Sequence, residues 1–276
     1  IPRFIENKDT VTDILTNLMW PQNAGLLEFP LSFSEARDAV AQMNAEQMFS
    51  FSDWRLPQRR ELFSLISHAN INPALPADPP FFNVFPSYYW TATHCARFVR
   101  QAWYIHFGGG RVFKGIKNSS YMVWPVRHIS GQTDSEDLSD KSKDLRNRYT
   151  VDQDTVFDQH TALLWAKYAD IGARPVKWSR SLEIVEQINR QHQYGYQDWR
   201  LPNIGELQSL VDYANRNMAL PTGHPFTNLL EAAFWTSTTY SYDTTAAWYV
   251  EIVTGRFSAL QKSSTAGYVW PVRDAN

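Results

Sequence analysis

The chain has 276 residues, a net charge of -2 and an isoelectric point near 6.4, so its overall charge gives no attraction to nucleic acid. Hydrophobic residues make up 43% and aromatic residues 14%, which excludes global disorder and is enough for sizeable cores. At roughly 100–200 residues per domain, the length predicts about two domains. No apolar run approaches the ~20 residues of a membrane span, and the single cysteine, Cys95, excludes an intramolecular disulfide and a multi-cysteine metal site.

The chain begins with two predicted strands around a polar turn, over residues 10–13 and 18–20. Asp9 and Asp13 near this turn are possible calcium ligands. Asp side chains also cap turns through their own oxygens, and no Asp-x-Asp-x-Asp-Gly loop with a distal Glu is present. We therefore interpret both as turn residues and predict no bound metal and no cofactor.

Two helices are predicted next. The first covers residues 34–47, and Ser32 and Glu35 have the spacing of a capping box at its start. The second follows the stretch Asp53-Trp54-Arg55-Leu56-Pro57, because proline suits the first turn of a helix, where its missing N–H has no partner. A Pro-rich irregular loop is predicted over residues 72–87.

The next part is predicted to be β-structure, with strands over residues 88–93, 101–107, 111–117 and 121–129. Gly108-Gly109-Gly110 lies between the second and third strands and resembles a phosphate-binding loop in composition. No helix follows it, however, and no Lys-Ser or Lys-Thr ends it. A hairpin turn is therefore the better interpretation.

The chain then repeats this whole pattern. Asp198-Trp199-Arg200-Leu201-Pro202 matches the stretch that begins at Asp53, 145 positions earlier, and the match extends along both halves with one extra residue in the second. A period this long indicates tandem globular domains, since solenoid repeats span about 20–50 residues. We predict a first repeat over residues 1–130, a polar linker over 131–148 and a second repeat over 149–276.

The shared motifs carry a resemblance to a known family. Both copies contain D-T-V, D-W-R-L-P…E-L-x-S-L, W-T-x-T, A-W-Y and V-W-P-V-R in this order. Together these motifs resemble the family named after the C-terminal domain of the Legionella collagen-like adhesin. The R-L-P…E corner is also similar to formylglycine-generating, or sulfatase-modifying, enzymes. The resemblance implies an α+β fold of two tandem C-type-lectin-like domains, each with two helices packed on small twisted antiparallel sheets and much loop.

The resemblance also implies a function. Members of the family are typically exported bacterial proteins, and the adhesin's domain is associated with sulfated polysaccharides. With a chain that starts at Ile1 rather than Met, this predicts an exported protein, periplasmic or at the cell surface, with a non-catalytic role in ligand recognition or adhesion. Two alternatives stay open: a degenerate or unrecognised enzyme of the sulfatase-modifying superfamily, and a structural subunit of a surface assembly.

Residues that recur in both copies are predicted to form a structural frame, because every copy needs them to fold whereas a ligand site is free to diverge. Tryptophan rings are expected in the cores, and arginines are expected to pair with Glu61 or Asp53. The alternative is that the shared residues form a binding site. They are Trp54, Arg55, Glu61, Trp90, Trp103, Trp124 and Arg127 in the first repeat, and Trp199, Arg200, Glu206, Trp235, Trp248, Trp270 and Arg273 in the second.

Charge differs between the copies. Residues 1–130 carry 12 Lys and Arg against 10 Asp and Glu, whereas residues 149–276 carry 10 against 13. The excess predicts an anion-binding face on the first repeat, for sulfate or carboxylate groups of a polysaccharide or a protein surface partner. The alternative is a basic surface without a ligand. The predicted face consists of Arg59, Arg60, Arg97, Arg100, Arg111 and Lys114.

Enzyme interpretations have less support. One cysteine cannot form the paired-cysteine copper site of a formylglycine-generating enzyme, and neither HExxH nor Gly-x-Ser-x-Gly is present. His94 and Cys95 are neighbours, but adjacent residues of a strand point to opposite faces. The sugar-site motifs Glu-Pro-Asn and Gln-Pro-Asp of calcium-dependent lectins are also absent.

Overall fold

The computed structural model describes residues 2–129, 148–213, 215, 218–264 and 267–275. The chain divides into two compact units, Ile1–Glu136 and Asp137–Asn276. Both are of mixed α+β type with small, mainly antiparallel sheets, which confirms the predicted fold class. Most of the predicted linker, residues 131–147, lies outside the described residues. Arg148, at its predicted end, is buried and donates two hydrogen bonds to Asp158 in the second unit.

The first unit contains seven strands and two α-helices among its described residues. They are β1 (Phe4–Asn7), β2 (Thr10–Asp13), β3 (Leu18–Pro21), α1 (Phe33–Ala45), α2 (Arg59–Phe63), β4 (Tyr88–His94), β5 (Gln101–His106), β6 (Arg111–Ile116) and β7 (Arg127–His128).

Local signals explain the bounds of α1. Ser32 caps its N-terminus by accepting the Glu35 N–H, and the Glu35 carboxylate accepts the Ser32 N–H, so the predicted capping box is confirmed. The helix ends two residues earlier than predicted. Gln47 adopts a left-handed conformation with φ 50°, which α-helical geometry does not allow.

Two sheets form the first unit. One has the order β1-β2-β3-β7 and is antiparallel throughout. The other contains the hairpins β4-β5 and β5-β6, with Trp90 opposite Tyr104 and Trp103 opposite Lys114. The predicted strand over residues 121–129 is mostly irregular. Only β7 and single bridges at Tyr121, Met122 and Val126 are paired there, since Pro125 has no N–H to donate to a ladder.

The core of the first unit lies between α1 and the β4-β5-β6 sheet. Ala36, Val40 and Met43 recur on one face of α1 and pack with Trp54 and Trp90. Each fully buried large apolar side chain contributes roughly 1.5–3 kcal/mol relative to an exposed one. This burial fixes α1 beside β4, and that placement creates the cleft described below.

The second unit repeats this plan and adds a strand before its first helix. Its elements are β8 (Tyr149–Asp152), β9 (Thr155–Asp158), β10 (Leu163–Ala166), β11 (Ile171–Val176), α3 (Trp178–Arg190), α4 (Ile204–Ser209), β12 (Ala233–Thr239), β13 (Ala246–Glu251), β14 (Arg256–Gln261), β15 (Gly267–Val269) and β16 (Val272–Asp274). Asn203 and Glu206 form a capping box at the start of α4.

Candidate anion-binding site

The corner at Arg55 is held by a charge-assisted ion pair. The Arg55 guanidinium donates to both carboxylate oxygens of Glu61 at 2.7 Å. One of these oxygens also accepts the Gln58 N–H at 2.6 Å, so Glu61 caps α2 as well. In the second unit Arg200 makes the same fork to Glu206, at 2.7 and 2.8 Å.

The indole of Trp54 fills the space under this corner. Its ring is 2% exposed, and its Nε1–H donates to the carbonyl of Met48 at 3.0 Å. Asn44 brackets the Trp54 backbone with two hydrogen bonds of 2.8 Å, and Asn189 does the same for Trp199. The other tryptophans of the predicted frame are at most 3% exposed: Trp90, Trp103, Trp124, Trp235, Trp248 and Trp270.

A second arginine of the predicted frame, Arg127, lies over the ring of Phe51 at 3.8 Å. Its guanidinium donates to both carboxylate oxygens of Asp53. Arg273 makes the equivalent contacts with Asp198 and the ring of Tyr196. In both units each residue of the Asp-Trp-Arg stretch is therefore held by hydrogen bonds to side chains from other parts of the same unit.

The prediction that Arg59 belongs to an exposed anion-binding face is wrong. This residue is 1% exposed, and its guanidinium lies over the ring of Trp103 at 5.3 Å. Burial lowers the pKa of Arg59 well below its ordinary value, and the charge of Arg60 lowers it further. The Arg59 side chain is thus not on an accessible surface, whereas Arg60, one position further along α2, is exposed.

The remaining predicted residues divide into two places. Arg111 lies opposite His106 at the start of β6, and Lys114 lies opposite Trp103 three residues later. Because side chains alternate along a strand, Arg111 and Lys114 point to opposite faces of the sheet. The alternation therefore separates Arg111 from Lys114.

Arg97 and Lys114 come together at the loop between β4 and β5, in which Arg100 is the last residue. The loop between β4 and β5 carries Phe98, which is 45% exposed. The Lys114 Nζ lies 4.7 Å and the Arg97 guanidinium carbon 5.8 Å from the centre of the Phe98 ring. An aromatic face is electron-rich, so Phe98 holds these two cations near each other and within reach of solvent.

A cleft of about 310 Å³ begins beside this loop, between α1, the corner and β4. Arg37 of α1, Gln58 of the corner and His94 of β4 line it, and none of its described lining residues is acidic. Phe33 forms part of one wall and contacts the His94 ring, with 5.3 Å between the ring centres.

Lys117 connects the cleft to the loop. Its Nζ lies 5.4 Å from the centre of the Phe33 ring and donates to the Val99 carbonyl at 2.8 Å. Its N–H donates to the carbonyl of Arg100. We call the set of Arg37, His94, Arg97, Arg100, Lys114 and Lys117, which extends around this end of the sheet from the face of His94 to the face of Lys114, the basic surface.

The pKa of His94 reflects the positive charge of the basic surface. Burial, then the charges of Lys117 and Arg37, lower the pKa of the imidazole below its ordinary value. The three groups therefore share one positive environment, which an anion would stabilise. The sequence interpretation missed Arg37, and the available signal was its replacement by Leu182 at the matching position of the second copy.

The second unit lacks this environment at the same place. Thr239 replaces His94, and Lys262 donates to the Thr239 hydroxyl and to the Thr244 carbonyl, both at 3.0 Å. In the matching loop, Asp243 accepts hydrogen bonds from Thr245 and Gln261. The basic surface is therefore a feature of the first repeat alone.

The site offers little to support nucleophilic or metal chemistry. Cys95 is buried at 4% exposure, while its neighbour His94 is exposed. Among the residues that the structure describes, no group of three or more His, Cys, Asp or Glu side chains is placed to hold a metal ion. In the same part of the chain, no helix is both long and apolar enough to cross a membrane.

Fold and site together define a protein of two α+β repeats. The two repeats have the same buried frame but differ in surface charge. The chain belongs to the family of the Lcl C-terminal domain, whose model matches residues 9–127 and again residues 154–273. This match confirms the resemblance recognised in the sequence and its tandem arrangement. A comparison with curated proteins finds no match.

Proposed function

We infer that the protein is a non-catalytic recognition or adhesion protein whose first repeat binds an anionic polysaccharide through the basic surface. The observation that carries this proposal is the asymmetry between the copies. The duplicated frame carries Arg37, Arg100 and Lys114, with the titratable His94 beside them, where the second repeat has the uncharged residues Leu182, Thr245, Ala259 and Thr239. A role in exported or cell-surface recognition is compatible with membership of this family.

The chemistry of the basic surface suits a repeating anion better than a single small one. An exposed ion pair contributes only about 0.2–1 kcal/mol, so one sulfate or carboxylate would bind weakly. A polysaccharide presents many such groups, and successive contacts add because they belong to one molecule. Planar guanidinium groups also match the geometry of sulfate and carboxylate oxygens.

Phe98 adds exposed apolar surface beside these charges, whereas Phe33 is 5% exposed and forms part of the cleft wall. Phe98 is exposed between Arg97 and Lys114, and Phe33 lines the cleft between His94 and Lys117. A sugar ring has apolar C–H faces as well as charged substituents. An exposed ring between two cations therefore fits an anionic sugar chain better than free inorganic anions.

Binding of heparin or dextran sulfate to the full chain tests the proposal, with uncharged dextran as the control polymer. The test variant is Arg37→Ala/Arg100→Ala/Lys114→Ala. Its matched control is Arg174→Ala/Arg180→Ala/Arg190→Ala, which removes the same charge from exposed positions of the second repeat.

Wild type and control should bind the sulfated polymers alike, and the test variant should bind about tenfold more weakly if the three contacts together supply about 1.4 kcal/mol. Affinity should fall as salt is raised from low to physiological concentration, because screening acts on exposed charges. Equal losses in both triple variants would mean that only net charge matters. That result, or no binding by wild type at low salt, would refute the proposal.

A further inference from the structure

The first unit contains a second, larger concavity that the basic surface does not include. It is a groove of about 1080 Å³ between the β1-β2 turn and the segment that follows α1. Asn7, Lys8 and Asp9 form one wall, and the segment from Glu46 to Phe51 forms the other. Its volume is slightly above the ~300–1,000 Å³ found for small-molecule sites, so an extended ligand would fit along it.

The wall that follows α1 is held in an unusual backbone conformation. Gln47, Phe49 and Ser50 all have positive φ, at 50°, 57° and 69°. A bulky residue such as phenylalanine rarely adopts this region, because its Cβ crowds the backbone. In the second unit Tyr194 stands at the matching position with φ 60°. An aromatic ring at a strained position has therefore been kept in both copies.

This conformation places two rings along the groove. Phe49 and Phe51 both line it, and both pack edge-on against Trp54, with ring centres 6.0 and 6.1 Å apart. Both side chains are only half-buried. Their packing against a buried indole gives them fixed positions, which lowers the entropy lost when a ligand stacks on them.

Apart from Lys8, Met19 and Met48, the rest of the lining consists of side chains with an amide, carboxylate or hydroxyl group. Amides, carboxylates and hydroxyls offer both donors and acceptors, which is what sugar hydroxyls need because each hydroxyl donates one hydrogen bond and accepts others. The seven residues are Asn7, Asp9, Thr10, Thr12, Glu46, Gln47 and Ser50.

Charge sets this groove apart from the basic surface. Lys8 is its only cation among the described lining residues, and Asp9 and Glu46 are both acidic. Asp9 also lies 3.8 Å from the Lys8 Nζ, which offsets that charge. A sulfate or carboxylate placed here would face two carboxylates, so an anionic ligand is disfavoured.

We propose that the groove of the first repeat is a binding site for an uncharged oligosaccharide, with pyranose rings stacked on Phe49 and on the face of Phe51 that Arg127 does not cover, and with hydroxyls bound by Asn7, Gln47 and Glu46. A peptide is the less suitable occupant. Peptides dock by adding a strand to a backbone edge or by filling apolar pockets, and this groove offers polar side chains beside flat rings. The site is independent of the basic surface and shares no residue with it.

A panel of uncharged hexasaccharides of glucose, mannose and N-acetylglucosamine tests this on the full chain. The readout is the indole N–H signal of Trp54 in nitrogen-15 NMR, assigned with Trp54→Phe. This N–H donates to the Met48 carbonyl in the groove wall, so it reports on the site. At least one hexasaccharide should shift the signal in a saturable way at both low and high salt.

Two variants examine the contacts. Asn7→Ala/Gln47→Ala removes exposed side chains and should weaken binding about tenfold, equivalent to roughly two lost hydrogen bonds. Phe49→Ala removes a stacking ring and should weaken it similarly. The control, Asp152→Ala/His192→Ala, changes the matching positions of the second repeat and should bind as wild type does.

The triple variant of the basic surface should bind the hexasaccharide normally, which separates this proposal from the preceding one. No shift with any hexasaccharide would overturn the proposal. So would wild-type affinity in Asn7→Ala/Gln47→Ala, or an equal loss in the second-repeat control. Binding that vanishes at high salt would also overturn it, because uncharged contacts are not screened.

Discussion

Glu61→Gln should destabilise the protein more than Glu206→Gln does, although the two residues hold the same place in the two repeats. Each carboxylate forms a two-pronged ion pair with the arginine six residues before it. The substitution keeps the shape of the side chain and removes its charge. The difference between the two variants therefore reports on the surroundings of each pair.

Those surroundings differ in exposure and in available partners. The Arg55 side chain is 17% exposed and that of Glu61 is 4% exposed, against 38% for Arg200 and 15% for Glu206. Removing one partner of a buried pair costs about 3–5 kcal/mol, because the other charge stays without compensation. Arg200 also donates to Asp274 at 2.9 Å, which partly compensates it.

We expect a loss of about 3 kcal/mol for Glu61→Gln, at the lower end of that range, because Arg55 is partly exposed and also contacts His128 Nε2 at 2.8 Å. For Glu206→Gln we expect about 1 kcal/mol, the scale of a solvent-screened pair. Urea unfolding of the full chain at neutral pH, followed by tryptophan fluorescence and circular dichroism, measures both values.

A double variant makes the test specific to the ion pair. Arg55→Met/Glu61→Met removes both charges and should lose less stability than the sum of its single variants, because neither charge is left buried alone. Additive losses would show that Glu61 acts mainly through its cap of α2. Equal losses for Glu61→Gln and Glu206→Gln would refute the argument from exposure.

Three further predictions concern the first repeat. Trp54→Ala should cost roughly 3–5 kcal/mol by emptying a large buried site, measured by thermal unfolding; unchanged stability would contradict its assignment to the frame. Burial lowers the pKa of His68 to about 4, so it stays neutral in the folded state at a pH where the unfolded chain binds a proton. The contribution of neutral His68 to the free energy of unfolding is complete above about pH 6.5, and up to about 3 kcal/mol of it is lost as pH falls towards 4. His68→Gln should flatten this dependence of stability on pH, and an unchanged dependence would contradict the role given to His68. Because burial and the charges of Lys117 and Arg37 lower the pKa of His94, a bound polyanion should favour its protonated form. Heparin affinity should therefore rise as pH falls from about 7.5 to 5.5, and this dependence should be absent in His94→Gln.

The sequence by itself determined the duplication and most elements of each repeat, although it did not predict β1 or β11 and overextended the last strand of the first repeat. Capping boxes, the proline corner and the alternating strands act over a few residues, so a single stretch is enough to recognise them. The family resemblance also follows from motif order alone, and the family match confirms it. Burial of the shared tryptophans agrees with the same reasoning, since each repeat needs its own core.

Only the tertiary structure decided which surface residues meet. Arg37 and His94 are far apart in the chain and line one cleft because the core packing places α1 beside β4. Arg59 and Arg60 look alike in the sequence, yet successive helical residues point about 100° apart, and one is buried against Trp103 while the other is exposed. The left-handed conformation of Phe49 also has no local sequence signal, since packing against Trp54 stabilises what the residue itself disfavours.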